Sequence, residues 1–291
     1  MLNTETLKKS LCSRPLIPGD RRWRIWSKYP NREEKMTRET LKLDGRVAMI
    51  TGAARGMGRE HALLMAERGA DLILNDLDAD VLSSTAEDCR ALGRTVTELA
   101  CDNTDIGNFT RLIGEHEAEH GRVDILVNNA GIQGNKYTVE EIDEEIWEAM
   151  TFIKMKATFF AARAVIPGMK KRKYGKLINV SSIFAMEGSF SMSHYTGAAS
   201  GVLGYAKGWA RELAPWNICA NAVAPGTVAT DLTINSMGWD VIQNFEKTVP
   251  MGRLADKKEI AYAVAWLASP ESDFVTGQLI SPTGGQTIVG I

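Results

Sequence analysis

The 291-residue chain has no apolar run near the 18 or so residues that a membrane-spanning helix needs, so no membrane association is expected of it. Cysteine is scarce: Cys12, Cys89, Cys101 and Cys219 form no CxxC pair and no closely spaced framework. Such spacing excludes a disulfide scaffold and a thiolate zinc site, and it points to reduced thiols in a cytoplasmic compartment. Histidine is as sparse, with His61, His116, His120 and His194 the full set, and no metal site is expected. Charge of one sign is also missing, the net value being −2. That balance conceals an asymmetry. Residues 1–42 carry 11 Lys/Arg against 5 Asp/Glu, which leaves the remainder at −8 and excludes nucleic acid as a partner of the body.

What is present begins with that basic segment. Three of the nine prolines, Pro15, Pro18 and Pro30, interrupt it, so residues 1–42 read as an N-terminal extension rather than part of a core. A flexible tail, an arm docking on a neighbouring subunit through Trp23 and Trp26, and a targeting segment are the three readings. From Leu43 onward, β-branched runs alternate with longer amphipathic stretches: RVAMIT, ADLILND, TVTELACD, VDILVNN, GKLINVSS and NICANAVAP. This alternation predicts one α/β domain over residues 43–291, a doubly wound parallel sheet with helices on both faces, the Rossmann arrangement. Strands apolar on both sides, as at Leu72, Ile73 and Leu74, fit burial between two helical layers.

The first unit, VAMITGAARGMGREHALLMAERGADLILND, breaks its strand at Thr51-Gly52 and opens a helix near Met57. Gly52, Gly56 and Gly58 let the backbone turn tightly and approach a pyrophosphate, while the helix start, with Arg55 and Met57 beside it, supplies unpaired N–H groups. Asp76 closes the next strand 24 residues after Gly52, where a carboxylate accepts hydrogen bonds from a ribose 2′-hydroxyl and repels a 2′-phosphate. NAD(H) is therefore expected over NADP(H). Leu77 offers no cation at the neighbouring position, and Arg55 is the one side chain that opposes the preference.

With TGAARGMG meeting the pattern TGxxxGxG, the chain resembles the short-chain dehydrogenase/reductase family across essentially all of residues 43–291. Further matches are Cys101-Asp102, the NNAG of Asn128, Asn129, Ala130 and Gly131, and the PGTVAT of Pro225, Gly226, Val228 and Thr230. The resemblance implies that Asp102 contacts adenine and that the segment from Pro225 to Thr230 holds the nicotinamide amide. It also implies a tyrosine that transfers the proton, assisted by a serine on the carbonyl oxygen, a lysine four residues after the tyrosine and an asparagine on the preceding helix. Ser182 and Tyr195 match the first two. The remaining positions depart from the pattern, because Ala199 stands where the lysine belongs and Lys154 where the asparagine belongs.

Residues i and i+4 share a helix face, so an ammonium at position 199 would lower the pKa of the phenol and hold the nicotinamide ribose. A phenol without such a neighbour is ionised in about one molecule in a thousand at pH 7. Alcohol oxidation, which needs tyrosinate, suffers most from the loss, whereas carbonyl reduction needs the protonated phenol. Three readings follow. Lys154 reaches into the space beside Ala199 and restores the cation; or redox activity is lost and Lys154 is solvated; or Ser182 and Tyr195 serve a non-redox acid/base reaction around a retained nucleotide.

The expected function is an NAD(H)-dependent oxidoreductase interconverting a hydrophobic secondary alcohol and a ketone at a non-standard active site. The alternative is a nucleotide-binding member of the family with no redox turnover. Ile183, Phe184, Met186 and Met192, together with residues 231–254, are the expected substrate side, and the length of that segment with its Gly238, Pro250 and Gly252 suggests a mobile lid over the cofactor. His194, about 100° around a helix from Tyr195, is expected to face away. EHEAEH reads as an exposed helical face. The apolar helices WEAMTFIKMKATFFAARAVIPGMKK and YTGAASGVLGYAKGWARELAP, which the resemblance assigns to subunit pairing together with the end LISPTGGQTIVGI, point to a homotetramer.

Overall fold

The computed structural model describes residues 41–132, 136–230 and 239–288, and of His120 and residues 239–243 the backbone alone. The basic extension up to residue 40 and the first part of the expected lid, residues 231–238, lie outside the described residues. Seven strands are described: β1 (Val47–Thr51), β2 (Asp71–Asp76), β3 (Val96–Ala100), β4 (Ile125–Asn128), β5 (Gly175–Val180), β6 (Ile218–Val223) and β7 (Leu279–Ile280). They form one sheet in the order β3-β2-β1-β4-β5-β6-β7, with every neighbouring pair parallel. The order reverses between β1 and β4, which opens a crevice beyond their carboxyl ends.

Strand alternation divides the core into two layers. Ala48, Ile50, Leu72, Leu74, Ile125, Val127 and Ile178 face one layer, where they meet Ala62, Met65 and Ala66 of α1 (Gly56–Glu67). The opposite side brings Met49, Ile73, Leu126 and Leu177 against Phe109 and Ile113, and against Ala161, Val165 and Met169. Helix α2 (Ala79–Ala91) follows β2, and α3 (Ile106–His120) follows β3 with Asp105 as its N-cap, the carboxylate accepting from Asn108 N–H at 3.2 Å. Glu115 and Glu119 of α3 are exposed, as EHEAEH predicts, whereas Glu117 is half-buried against Arg172 at 2.9 Å.

The second half carries the irregular features. Helix α4 (Glu144–Thr151), capped by Asp143, runs into a π turn over Phe152–Lys156 and on into α5 (Ala157–Arg172). Ala157 N–H bonds back to Phe152 O, five residues earlier, so the turn holds one residue more than a regular one and changes the direction of the side chains on it. Beyond β5 come α6 (Phe184–Glu187) and the long α7 (Ser193–Leu213), and after β6 come α8 (Trp239–Thr248) and α9 (Lys257–Ala268). β7 was not foreseen as a strand: only two residues pair, Leu279 with Ala222 and Ile280 with Val223, before Pro282 and two glycines end the run.

Candidate active site

Two connected hollows lie at the carboxyl end of the sheet. The larger, about 560 Å³, runs from Asp76 and Asp102 past Arg55, Gly56 and Gly58 to Ala130 and Gly131. The smaller, about 170 Å³, is lined by Lys154, Ser182, Tyr195, Pro225, Gly226 and Val228, and Met57, Asn129, Gly131 and Thr230 border both. Every residue singled out as catalytic or cofactor-binding from the sequence therefore lines one hollow or the other.

The glycine turn shows how a nucleotide fits the larger one. Gly52 has φ +67°, and a Cβ at Gly58 would come within 1.8 Å of Gly52 O, so neither position accepts a side chain without rebuilding the turn. Gly56, with φ +58°, has open space instead, its nearest neighbour being Thr230 Cγ2 at 4.0 Å, and leaves the start of α1 bare toward the hollow. Thr51 Oγ1 accepts from Asn129 N–H and Ala130 N–H, both at 3.0 Å, and the Asn129 amide donates to Thr51 O at 3.0 Å and Gly52 O at 3.1 Å. The Asn129 side chain is thus used in fixing the turn, and its backbone is what remains for a ligand. Below it, His61 is buried beside Asn129, and desolvation takes its pKa down to about 3.

Asp76 is held at the end of β2 by Ala54 N–H at 2.9 Å on one oxygen and Leu77 N–H at 2.8 Å on the other. Arg55 does not reach toward it as a free cation: its guanidinium pairs with Asp78, whose other oxygen caps α2 through Val81 N–H at 3.2 Å. Asp102 accepts from Thr104 N–H at 2.8 Å and from the Thr104 hydroxyl at 2.7 Å. A glycine cradle, a bare helix start and a carboxylate at the end of β2 suit the adenosine diphosphate part of a dinucleotide.

In the smaller hollow, Ser182 follows β5 and Tyr195 lies in the first turn of α7, with the Phe184 ring edge-on to the Tyr195 ring at 6.3 Å. Ser182 Oγ accepts from Phe184 N–H at 3.2 Å, which leaves its proton free to point into the hollow. Lys154 is only 5% exposed, so it does not sit on a solvated face. Its ammonium donates to Val180 O at 3.1 Å and lies 5.6 Å from the centre of the Tyr195 ring. Gly131 makes room for it, since a Cβ there would stand 3.4 Å from both Cδ and Nζ of Lys154. Ala199 is fully buried, and its carbonyl accepts from Ser181 Oγ at 2.9 Å.

The expected substrate wall is met in part. Ile183 and Phe184 line the hollow, but Met186 on α6 lies outside the lining, and Met192, the N-cap of α7, is packed in the interior. Ile132, marked by no sequence motif, lines the hollow instead, together with Phe245 from the segment 231–254 expected on the substrate side. His194 is buried with its ring 6.1 Å from that of Tyr137 and lines neither hollow, and burial lowers its pKa. No group of three metal-ligating side chains occurs among the described residues, and no helix there is long and apolar enough to cross a membrane.

Fold and hollows define an α/β protein of the dinucleotide-binding class. Residues 52–287 match the family model described as enoyl-(acyl carrier protein) reductase, and the chain belongs to the short-chain dehydrogenase/reductase family. It is 36% identical over 248 residues to 3-oxoacyl-[acyl-carrier-protein] reductase FabG of Thermotoga maritima, covering 85% of this chain and 100% of that one. It is also 36% identical over 258 residues to trans-4-hydroxycyclohexanecarboxylate dehydrogenase of Sinomonas cyclohexanicum, covering 87% and 96%. Among solved structures, a 7α-hydroxysteroid dehydrogenase in complex with NADH and 7-oxo-glycochenodeoxycholic acid superposes with a TM-score of 0.82 at 29% identity, covering 86% of this chain and 98% of that one.

Proposed function

We propose that this oxidoreductase uses NAD(H) to interconvert a hydrophobic secondary alcohol and its ketone, with Lys154 supplying the cation that Ala199 does not. The observation that carries the reading is the buried ammonium of Lys154 beside the Tyr195 ring, in the hollow that also holds Ser182. The nicotinamide, when bound, supplies or accepts the hydride. The Ser182 hydroxyl donates to the substrate oxygen. In reduction Tyr195 Oη gives its proton to that oxygen, and in oxidation it takes one from the hydroxyl group. The Lys154 ammonium stabilises the tyrosinate left behind, and it replaces by reach from the π turn what the family places one helical turn beyond the tyrosine. Backbone around Gly131, with Val228 and Thr230, holds the nicotinamide end, and Asp76 selects the unphosphorylated ribose.

The apolar lining of Ile132, Ile183, Phe184 and Phe245 supports a hydrophobic substrate. Two of the similar proteins are by name dehydrogenases of a hydroxycyclohexanecarboxylate and of a hydroxysteroid, and the second was solved with NADH. The exposed Phe159 ring on α5 and the partly exposed Tyr205 ring on α7, 5.6 Å apart, with Tyr205 stacked at 5.3 Å on the buried Trp209, support pairing of subunits across these helices into a homotetramer. Purified protein mixed with NADH and a panel of cyclic and aromatic ketones tests the reading by loss of nicotinamide absorbance. Tight NADH binding with no turnover on any ketone, or with any alcohol and NAD, overturns it in favour of the non-redox alternative.

A further inference from the structure

The chain beyond β7 turns back onto the smaller hollow. Gly284 and Gly285, at φ +62° and +87°, make the turn, and they lie against Val249 and Pro250 so closely that added Cβ atoms would stand 2.9 Å and 3.0 Å from those side chains. Met251 N–H donates to Gly284 O at 3.1 Å. The turn brings the Gln286 side chain over the loop that follows Pro225. Gln286 Oε1 accepts from Thr227 N–H at 3.0 Å, and its amide group and the Thr227 hydroxyl are 3.2 Å apart. Gly226 leaves the necessary space, a Cβ there standing 3.1 Å from Gln286 Oε1 and 2.9 Å from Thr283 Cα.

The two backbone groups of Thr227 are thereby fixed by different parts of the chain. Its carbonyl accepts from Ala255 N–H at 3.2 Å, and its N–H is satisfied by a single side chain from the end of the protein. Removing that side chain frees the peptide between Gly226 and Thr227 to rotate, which would redirect Val228 and Thr230. The next residue, Thr287, donates to the carboxylate of Glu187 at the end of α6, so the same turn is tied to the substrate-facing side as well.

We propose that Gln286 is a positioning residue for the nicotinamide end of the cofactor, holding the loop from Gly226 to Thr230 in the orientation that receives it. This rests on the reading above that the loop contacts the nicotinamide. NADH carries that group and ADP-ribose lacks it, so the ratio of their dissociation constants, measured by calorimetry on the full chain, isolates it. Gln286→Leu is expected to weaken NADH by about fivefold to tenfold, the effect of one lost buried hydrogen bond, while leaving ADP-ribose within about twofold. Gln286→Glu keeps the accepting oxygen and is expected to restore most of the NADH affinity. Thr230→Val tests the underlying reading, because it removes a hydroxyl from the same loop. A shifted ratio in Thr230→Val with an unchanged one in Gln286→Leu overturns the role of Gln286 alone. Unchanged ratios in both overturn the loop assignment and the proposal with it. Equal weakening of both ligands by Gln286→Leu, or failure of Gln286→Glu to restore binding, also overturns it, since either marks a general structural role.

Discussion

The two halves of the sheet obey their family pattern to different degrees. From β1 to β4 the pattern is met at each of Gly52, Gly56, Gly58, Asp76, Asp102 and Gly131, and at the glycines the demands fall on the backbone: positive φ at Gly52 and Gly56, and no room for a Cβ at Gly52 and Gly58. From the π turn to β6 two side chains of the expected set are replaced. There the demand is for a charge at a point in space, and a long side chain meets it from more than one place on the backbone. A nucleotide cradle tolerates almost no substitution, whereas, in the reading proposed for Lys154, a catalytic cation is relocated along an open path for its side chain. The Gly131 surface, the Val180 carbonyl and the π turn provide that path for Lys154.

The largest expected effect breaks the second half. Lys154→Met should lower turnover by about 10²- to 10⁴-fold, more for alcohol oxidation than for ketone reduction at neutral pH, with NADH affinity changed far less. Moving the charge sharpens the point: Lys154→Asn combined with Ala199→Lys restores the family arrangement and should recover much of the turnover that Lys154→Asn loses. Rates in both directions across pH 6–10 measure this, and a double variant as inactive as the single one would show that α7 has no room for the longer side chain.

Gly58→Ala breaks the first half. Its Cβ, 1.8 Å from Gly52 O, forces the turn apart, at a cost of about 1–3 kcal/mol in stability and most of the nucleotide affinity. Calorimetric melting with and without NADH follows both.

Replacing Asp76 by Ala is expected to remove a preference for NAD over NADP of about tenfold, equivalent to about 1.4 kcal/mol, as read by titration with the two reduced cofactors. Releasing Arg55 through Asp78→Asn should move the preference the same way by a smaller factor, because the guanidinium then becomes free to meet a 2′-phosphate.

A further effect, in the pH dependence of stability, concerns His61. Its folded-state pKa of about 3 lies below the unfolded reference of about 6.5, so the unfolded chain binds more protons between those values. Its contribution to stability is complete above about pH 6.5 and is lost as pH falls toward 3. Urea midpoints measured from pH 7 to pH 4 should decline less steeply in His61→Phe than in the parent.

The sheet and the nucleotide cradle were legible in the sequence because both write themselves locally. The short β-branched, apolar runs of β1 to β6 appear within a few residues of their final bounds, and TGAARGMG and Asp76 occupy fixed places relative to strand ends. The catalytic half was legible only as a question. Position 154 is displayed by the sequence, but the extra residue in the π turn and the vacancy above Gly131 are products of packing. β7, with two paired residues, has too short a run to show a period. Ile132 lines the smaller hollow, and Gln286 holds the Thr227 loop beside it, through tertiary contacts that leave no mark in their own neighbourhoods. The assignment of Met186 and Met192 to the substrate wall failed for a related reason, since nothing in a string of residues announces which way a one-turn helix, or the residue that caps the next one, will aim its side chain.

A cation and a phenol borne on one helix keep a separation set by helical rise. Here they are carried by separate bodies: Tyr195 by α7, and Lys154 by a turn anchored through Val180 to the sheet. Their distance is therefore set between two separately carried parts, and it is gauged at Gly201, where an added Cβ would come within 2.5 Å of Met155 Cε. A shim as thin as one methyl group at that contact, far from any reacting atom, would reset the spacing of the pair.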